Sequence, residues 1–176
     1  DLTESDALLA TALRERGVQV VVAPWDTIDP AKPDGLVCLR STWDYFRRWP
    51  EFRSWVAGFL PRPGTLVNPP ATVFWNADKQ YLRELGRAGI ALPRTVWSEP
   101  GERPDVEAFL RETGCARAVI KPRISGAAWG THLMERGRRL GDDDWRLLEA
   151  AGALVQEFVA EIGDGEISLM YIEGSF

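Results

Sequence analysis

The sequence predicts an α/β protein whose later part is α+β. Three observations carry this. Short, β-branched apolar runs such as Val18–Ala23, Gly35–Arg40 and Ala118–Pro122 alternate with segments of helical period. Glycine and proline punctuate the boundaries between them. The length of 176 residues, 45% hydrophobic and 27% charged, suits one domain or two small ones with a buried core.

The elements follow in order. Thr3 is placed to cap a first helix, with Asp6 at capping-box spacing and Leu8, Leu9, Ala12 and Leu13 as its apolar stripe. Gly17 ends it, and Val18–Ala23 and then Gly35–Arg40 read as buried strands. A helical, aromatic-rich segment spans Trp43 to Leu60, and Leu66–Val67 is a short strand stopped by Pro69-Pro70. Helices are expected at Phe74–Ala88, Pro104–Thr113 and Asp142–Ala150, the last with three aspartates at its positive end. Strands are expected at Leu92–Trp97, Ala118–Pro122, Thr131–Glu135, Leu154–Val159 and Glu166–Ile172. A strand would ordinarily precede the first helix of an open sheet, and Glu173-Gly174 reads as a hairpin turn with one arm. Both features read as the marks of a fragment.

The net charge is −5, with no block of like charge, which argues against general nucleic-acid or membrane-surface binding. No apolar run approaches the roughly 20 residues of a membrane span, and the start has no signal-peptide pattern. Cys38 and Cys115 cannot form a disulfide framework or a zinc site by themselves. The cytoplasm is the expected compartment. Of the 21 basic residues only Lys32, Lys79 and Lys121 are lysine. Where arginine is the default cation, a retained lysine draws attention, because a compact ammonium and a planar guanidinium suit different sites.

Lys121 ends a buried strand and is followed by Arg123-Ile124-Ser125-Gly126-Ala127-Ala128-Trp129-Gly130. A point charge beside a small-residue loop, whose N–H groups can close on an anion, suits a polyphosphate. Neither the G-x-x-x-x-G-K-[ST] nor the G-x-G-x-x-G pattern occurs. Leu154–Val159 is an apolar strand running into an acidic linker, and its backbone could face the edge of a flat base, with Glu166 available to a ribose. Taken alone, the same residues also read as an ordinary strand with solvated carboxylates. Lys79, in Asn76-Ala77-Asp78-Lys79, falls near a helix start, where a cation opposes the dipole.

In this order the pieces resemble the ATP-grasp superfamily, in particular its glutathione synthetase and ribosomal-protein-modifying ligase-like branch. The landmarks are Asn76-x-Asp78-Lys79, Pro93-x-Thr95, Val119-Ile120-Lys121-Pro122 with its loop, and Val155–Val159 followed by Gly165–Leu169. They span about Leu66 to Phe176, with a looser match upstream. Leu39–Tyr45 resembles the subgroup containing a cycloserine-forming cyclo-ligase. The resemblance implies a partial open-sheet pre-ATP-grasp domain at 1–66 and an incomplete ATP-grasp domain after it. That second part would comprise a first subdomain with the phosphate loop at 67–163 and the start of another at 164–176.

The resemblance further implies roles. Lys79 and Lys121 would contact nucleotide phosphates under a loop that includes Ser125, Gly126, Ala127 and Gly130. Gln156, Glu157 and the backbone of Phe158 and Val159 would hold adenine, and Glu166 the ribose. The cofactors would be ATP and Mg2+, and the partners ATP and a small carboxylate or amine substrate, with neither nucleic acid nor membrane. A homo-oligomer is compatible with it. The expected activity is ligation through an acyl-phosphate. The alternatives are a non-catalytic nucleotide-binding or oligomerising module and an ATP-grasp phosphotransferase. Catalytic and magnesium-binding residues are expected after Phe176, so no metal is assigned within the chain and this stretch alone is expected to be inactive.

Arg40, Trp43 and Asp44, with Arg47, are candidates for an acceptor-substrate cleft, since loops after parallel strands carry sites. The alternative is that Trp25, Trp43, Trp49 and Trp55 simply pack the first domain. His132 reads as structural, Cys38 as a small core residue, Cys115 as a loop or strand-entry thiol, and the Arg136, Arg138 and Arg139 cluster as a solvated turn.

Overall fold

The structure, a computed structural model, describes residues 2–165, 167–169, 171 and 174–176. Its chain divides into two compact units, Asp1–Ile90 with Arg123–Trp129, and Ala91–Pro122 with Gly130–Phe176. Among the described residues no helix is long and apolar enough to cross a membrane.

The first unit opens with α1 (Glu4–Glu15), whose N-cap Thr3 accepts from the Asp6 N–H as expected. The Asp6 carboxylate does not complete a capping box. It is buried and turns instead to Arg40 and Ser41. The strand expected at Val18–Ala23 is absent, and Val21 and Val22 are exposed. A β-branched run becomes a strand only beside a ladder partner, and among the described residues none lies beside this one. The expected strand Gly35–Arg40 shrinks to β1 (Val37–Cys38), paired in parallel with β2 (Leu66–Val67). Cys38 is exposed, not a core residue.

The aromatic segment is helical only over α2 (Trp49–Ala57), because Trp43–Arg48 forms turns that bring Tyr45 and Phe46 inward. Phe52, Trp55, Val56 and Phe59 pack with Trp25 and Leu66 in one cluster. Rings meet edge-on, Trp25 to Phe52 at 5.2 Å and Trp55 to Phe59 at 4.9 Å, a preferred aromatic geometry. Trp43 does not join them and is 65% exposed. The helix expected at Phe74–Ala88 is two helices, α3 (Pro70–Ala77) and α4 (Tyr81–Arg87). The break falls at Asp78–Gln80, where the Lys79 N–H leaves the helical ladder to donate to the Arg123 carbonyl at 3.0 Å.

The second unit holds β3 (Thr95–Ser98), α5 (Val106–Thr113), β4 (Arg117–Pro122), β5 (His132–Glu135), α6 (Asp142–Ala151) and β6 (Ala153–Glu157). The four strands form one sheet in the order β3-β6-β4-β5, with every pairing antiparallel. This is the α+β arrangement expected of the later part. Asp105 caps α5 by accepting from the Ala108 N–H, and Gly114, at φ 71°, ends it. Ala118 and Ile120 of β4, Met134 of β5 and Val155 of β6 share one face and bury themselves against Phe109, Leu110 and Leu148 of α5 and α6. The strand expected at Glu166–Ile172 is not formed at Ile167–Leu169 or Tyr171, and its other residues lie outside those described.

Candidate functional site

In the second unit, alternation along the strands sends a different set of side chains to the face opposite α5 and α6. Thr95 faces Gln156 across β3 and β6, Gln156 faces Val119 across β6 and β4, and Lys121 faces Leu154. A row of polar groups therefore crosses three strands. The Lys121 ammonium donates to Gln156 Oε1 at 3.2 Å, and Gln156 Nε2 donates to Thr95 Oγ1 at 3.0 Å. The amide thus has its oxygen toward the lysine and its nitrogen toward the threonine. Thr95 Oγ1 donates in turn to the Pro93 carbonyl.

Lys121 is part-buried and, among the described residues, forms no ion pair. Burial pushes its ammonium below the ordinary value of 10.5, since leaving water penalises the charged form. A cation held rigidly at a strand end with only a neutral amide for company is suited to stabilisation by an incoming anion.

Glu157 follows Gln156 and points to the other face, in register with Ala118. Its carboxylate is gripped by Arg94, with Nε to Oε2 at 2.9 Å and Nη2 to Oε1 at 2.9 Å. Hydrogen bonds from Arg94, and secondarily from the Cys115 thiol, lower its pKa to about 2. Its backbone N–H donates to the Arg94 carbonyl at 2.9 Å. Phe158 continues from β6, its N–H on the Arg117 carbonyl and its ring 4.2 Å from the Arg117 guanidinium, while Val159 is exposed. Glu166 lies outside the described residues.

In the first unit, Lys79 lies directly before the N-cap of α4, near a helix start as expected. Its ammonium donates to the Ser125 carbonyl at 2.9 Å, to Ser125 Oγ at 2.8 Å and to the Arg123 carbonyl at 3.5 Å. Arg123 pairs with Asp78 through Nη2 at 2.6 Å, and the Tyr45 hydroxyl also donates to the Ser125 carbonyl. Ser125 is buried. Gly126 lies so close to Phe46 that a Cβ there would stand 2.9 Å from the ring, and Trp129 packs on the same ring at 5.2 Å.

Ala127 and Ala128 both have left-handed backbones, at φ 48° and 58°. L-residues adopt that region at a cost of about 1–2 kcal/mol each, and such strain gathers at switching segments. Ala128→Gly is expected to stabilise the protein by about 0.5–1 kcal/mol, because the strain relieved exceeds the added chain entropy. A thermal melt that moves down on this substitution would contradict the strain.

The proposed cleft residues are also in the first unit. Arg40 Nε donates to Asp6 Oδ1 at 2.8 Å, which orients the guanidinium from behind. Asp44 accepts from Trp25 Nε1 at 3.0 Å and pairs with Arg48 at 3.4 Å, so its carboxylate braces the aromatic cluster. Arg94 and Arg123 are absent from the sequence-derived site. No local pattern marks either, since their partners lie 63 and 45 residues away.

The chain has the fold of a partial ATP-grasp structure, as its likeness to solved structures shows. Within that class, residues 1–68 match the family model described as the N-terminal domain of D-cycloserine synthetase DcsG. The chain is 25% identical to the cycloserine biosynthesis protein DcsG of Streptomyces lavendulae, over 96% of this chain and 58% of that protein. The crystal structure of D-cycloserine synthetase DcsG superposes with a TM-score of 0.71 at 24% identity, covering 88% of this chain and 54% of that one. The RimK domain ATP-grasp protein from Sphaerobacter thermophilus DSM 20745 does so with a TM-score of 0.58 at 24% identity, covering 90% and 61%. The chain thus spans little more than half the length of these relatives.

Proposed function

We propose that this chain is the pre-ATP-grasp and nucleotide-binding part of an ATP-dependent ligase, which activates a carboxylate as an acyl-phosphate and joins it to an amine-type nucleophile. The observation that carries this reading is the Lys121–Gln156–Thr95 row, with a part-buried ammonium set against a neutral amide. In this reading Lys121 binds phosphate oxygens and Gln156 presents its amide to the edge of adenine. The backbone of Glu157, Phe158 and Val159 lines the base, and Glu166 receives the ribose. Lys79 and Ser125–Gly130 serve the phosphates. Arg40, with Trp43 and Asp44 nearby in sequence, serves the acceptor substrate. The domain limits are those expected above, at 66 and 163.

The γ-phosphoryl group passes to a carboxylate oxygen as ADP leaves. The nucleophile then attacks the acyl carbon and expels phosphate. This chain's share is to bind and orient the nucleotide and to place fixed positive charge beside phosphates, which is where such transfers gain most of their rate. Magnesium belongs to the proposed chemistry, and among the described residues no three His, Cys, Asp or Glu side chains gather. No step is routed through it, and residues 1–176 alone are proposed to be inactive. The compartment is proposed to be the cytoplasm.

The test is ADP release by the full-length protein against a panel of amino acids. The expected result is acceptor-dependent ADP and phosphate release with an amide product. ADP release without an amide would favour phosphotransfer, and ATP binding without turnover would favour a binding module. If no acceptor stimulates ADP release, the ligase reading loses its support.

A further inference from the structure

Arg94 is engaged in more ways than a solvent-facing arginine ordinarily is. Its guanidinium meets both oxygens of Glu157, its Nη2 also donates to Cys115 Sγ at 3.0 Å, and its Nη1 donates to the Thr113 carbonyl at the end of α5. Its own carbonyl accepts from the Glu157 N–H. Residue 157 is thus held by residue 94 through backbone and side chain together, and both are anchored to the C-terminus of α5. The side chains are 53% and 34% exposed, and an ion pair so open to water ordinarily adds little stability. What a bidentate fork adds is geometry.

The element it fixes is the last residue of β6. From there the chain leaves the sheet as Phe158 and Val159. We propose that Arg94 is a positioning residue for the base of the bound nucleotide, acting through Glu157 from the face of the sheet opposite Lys121 and Gln156. This rests on the nucleotide reading above. It also divides two adjacent side chains by role. Gln156 faces the ligand, and Glu157 faces away and holds the strand end in place. Because the Glu157 carboxylate stays ionised down to about pH 2, the clamp is closed throughout the neutral range. Lysine at 94 would keep the charge but lose the fork, and alanine would lose both.

The experiment measures ATP and inorganic tripolyphosphate affinities, by calorimetry, for the full-length protein and for Arg94→Ala and Arg94→Lys. A base-positioning role predicts ATP binding weakened about tenfold in the alanine variant and by a smaller factor in the lysine variant, the scale expected when a positioning contact slackens. Tripolyphosphate affinity should stay within about twofold of wild type, because the phosphates are held elsewhere. ATP affinity unchanged in both variants overturns the proposal. So does an equal loss for ATP and tripolyphosphate, which would mark a general structural defect. If the alanine variant does not fold, the lysine variant decides by the same ratio. Wild-type protein that binds neither ligand would defeat the nucleotide reading itself, whereas wild-type binding with no Arg94 effect defeats this inference alone.

Discussion

Lys121→Ala is expected to weaken ATP binding by about a hundredfold or more in the full-length protein, the scale of losing a close charge partner in a desolvated site. The reason lies in what the cation already gives up. Its charged form is disfavoured by burial before any ligand arrives, and the hydrogen bond to Gln156 offsets this without supplying a counter-charge. In the proposed site a bound phosphate would supply that counter-charge and pull the lysine pKa back up, which would link binding to protonation. ATP affinity should be full below the lowered pKa and fall as the pH rises through it, at a midpoint below the 10.5 of an ordinary lysine. The free protein behaves oppositely. Its fold favours the neutral amine, so this group adds stability as the pH climbs from the lowered pKa toward 10.5. Calorimetric titration with ATP at several pH values checks the first sign, and chemical denaturation of the free protein over the same range checks the second. Unchanged ATP affinity in the variant would remove Lys121 from the site.

What could be read in advance divides by the range of the interactions. The second unit as far as β6 was legible because local pattern and tertiary placement agree. Arg117–Pro122 alternates between buried positions and exposed or half-buried ones, so its sequence already separates the core side from the side bearing Lys121. Asp105 and Gly114 bracket α5 by local chemistry alone. The misread elements depend on distant partners. Val18–Ala23 has strand propensity, yet a strand exists only in a ladder. Phe74–Ala88 carries helical period throughout, and its break at Asp78–Gln80 is drawn by Arg123, whose carbonyl takes the Lys79 N–H and whose guanidinium takes Asp78. The candidate site follows the same rule. Lysine scarcity pointed to Lys121 and Lys79, but nothing local to Glu157 says that its carboxylate turns away from Gln156 to meet Arg94.

Gly130→Val is expected to be among the most damaging single substitutions in the second unit, costing about 2–5 kcal/mol from left-handed strain and overpacking together. The glycine closes the small-residue segment at φ 66°, where a β-branched side chain is strongly disfavoured. A Cβ there would also stand 2.8 Å from Pro122 Cγ and 2.9 Å from Leu147 Cδ2. The proline ring cannot turn aside, and it ends the strand that carries Lys121, so relief must come from moving that strand end or the start of β5. Gly137 makes the control. It has a comparable φ of 79° with nothing within 4 Å of its would-be Cβ, so Gly137→Val isolates the backbone cost. Chemical denaturation should rank the Gly130 variant below the Gly137 variant by about 1–3 kcal/mol, the overpacking share. Equal losses would mean that the close approach to Pro122 and Leu147 relaxes freely. A larger loss at Gly130 would tie the geometry of the loop's end to the strand that presents the lysine.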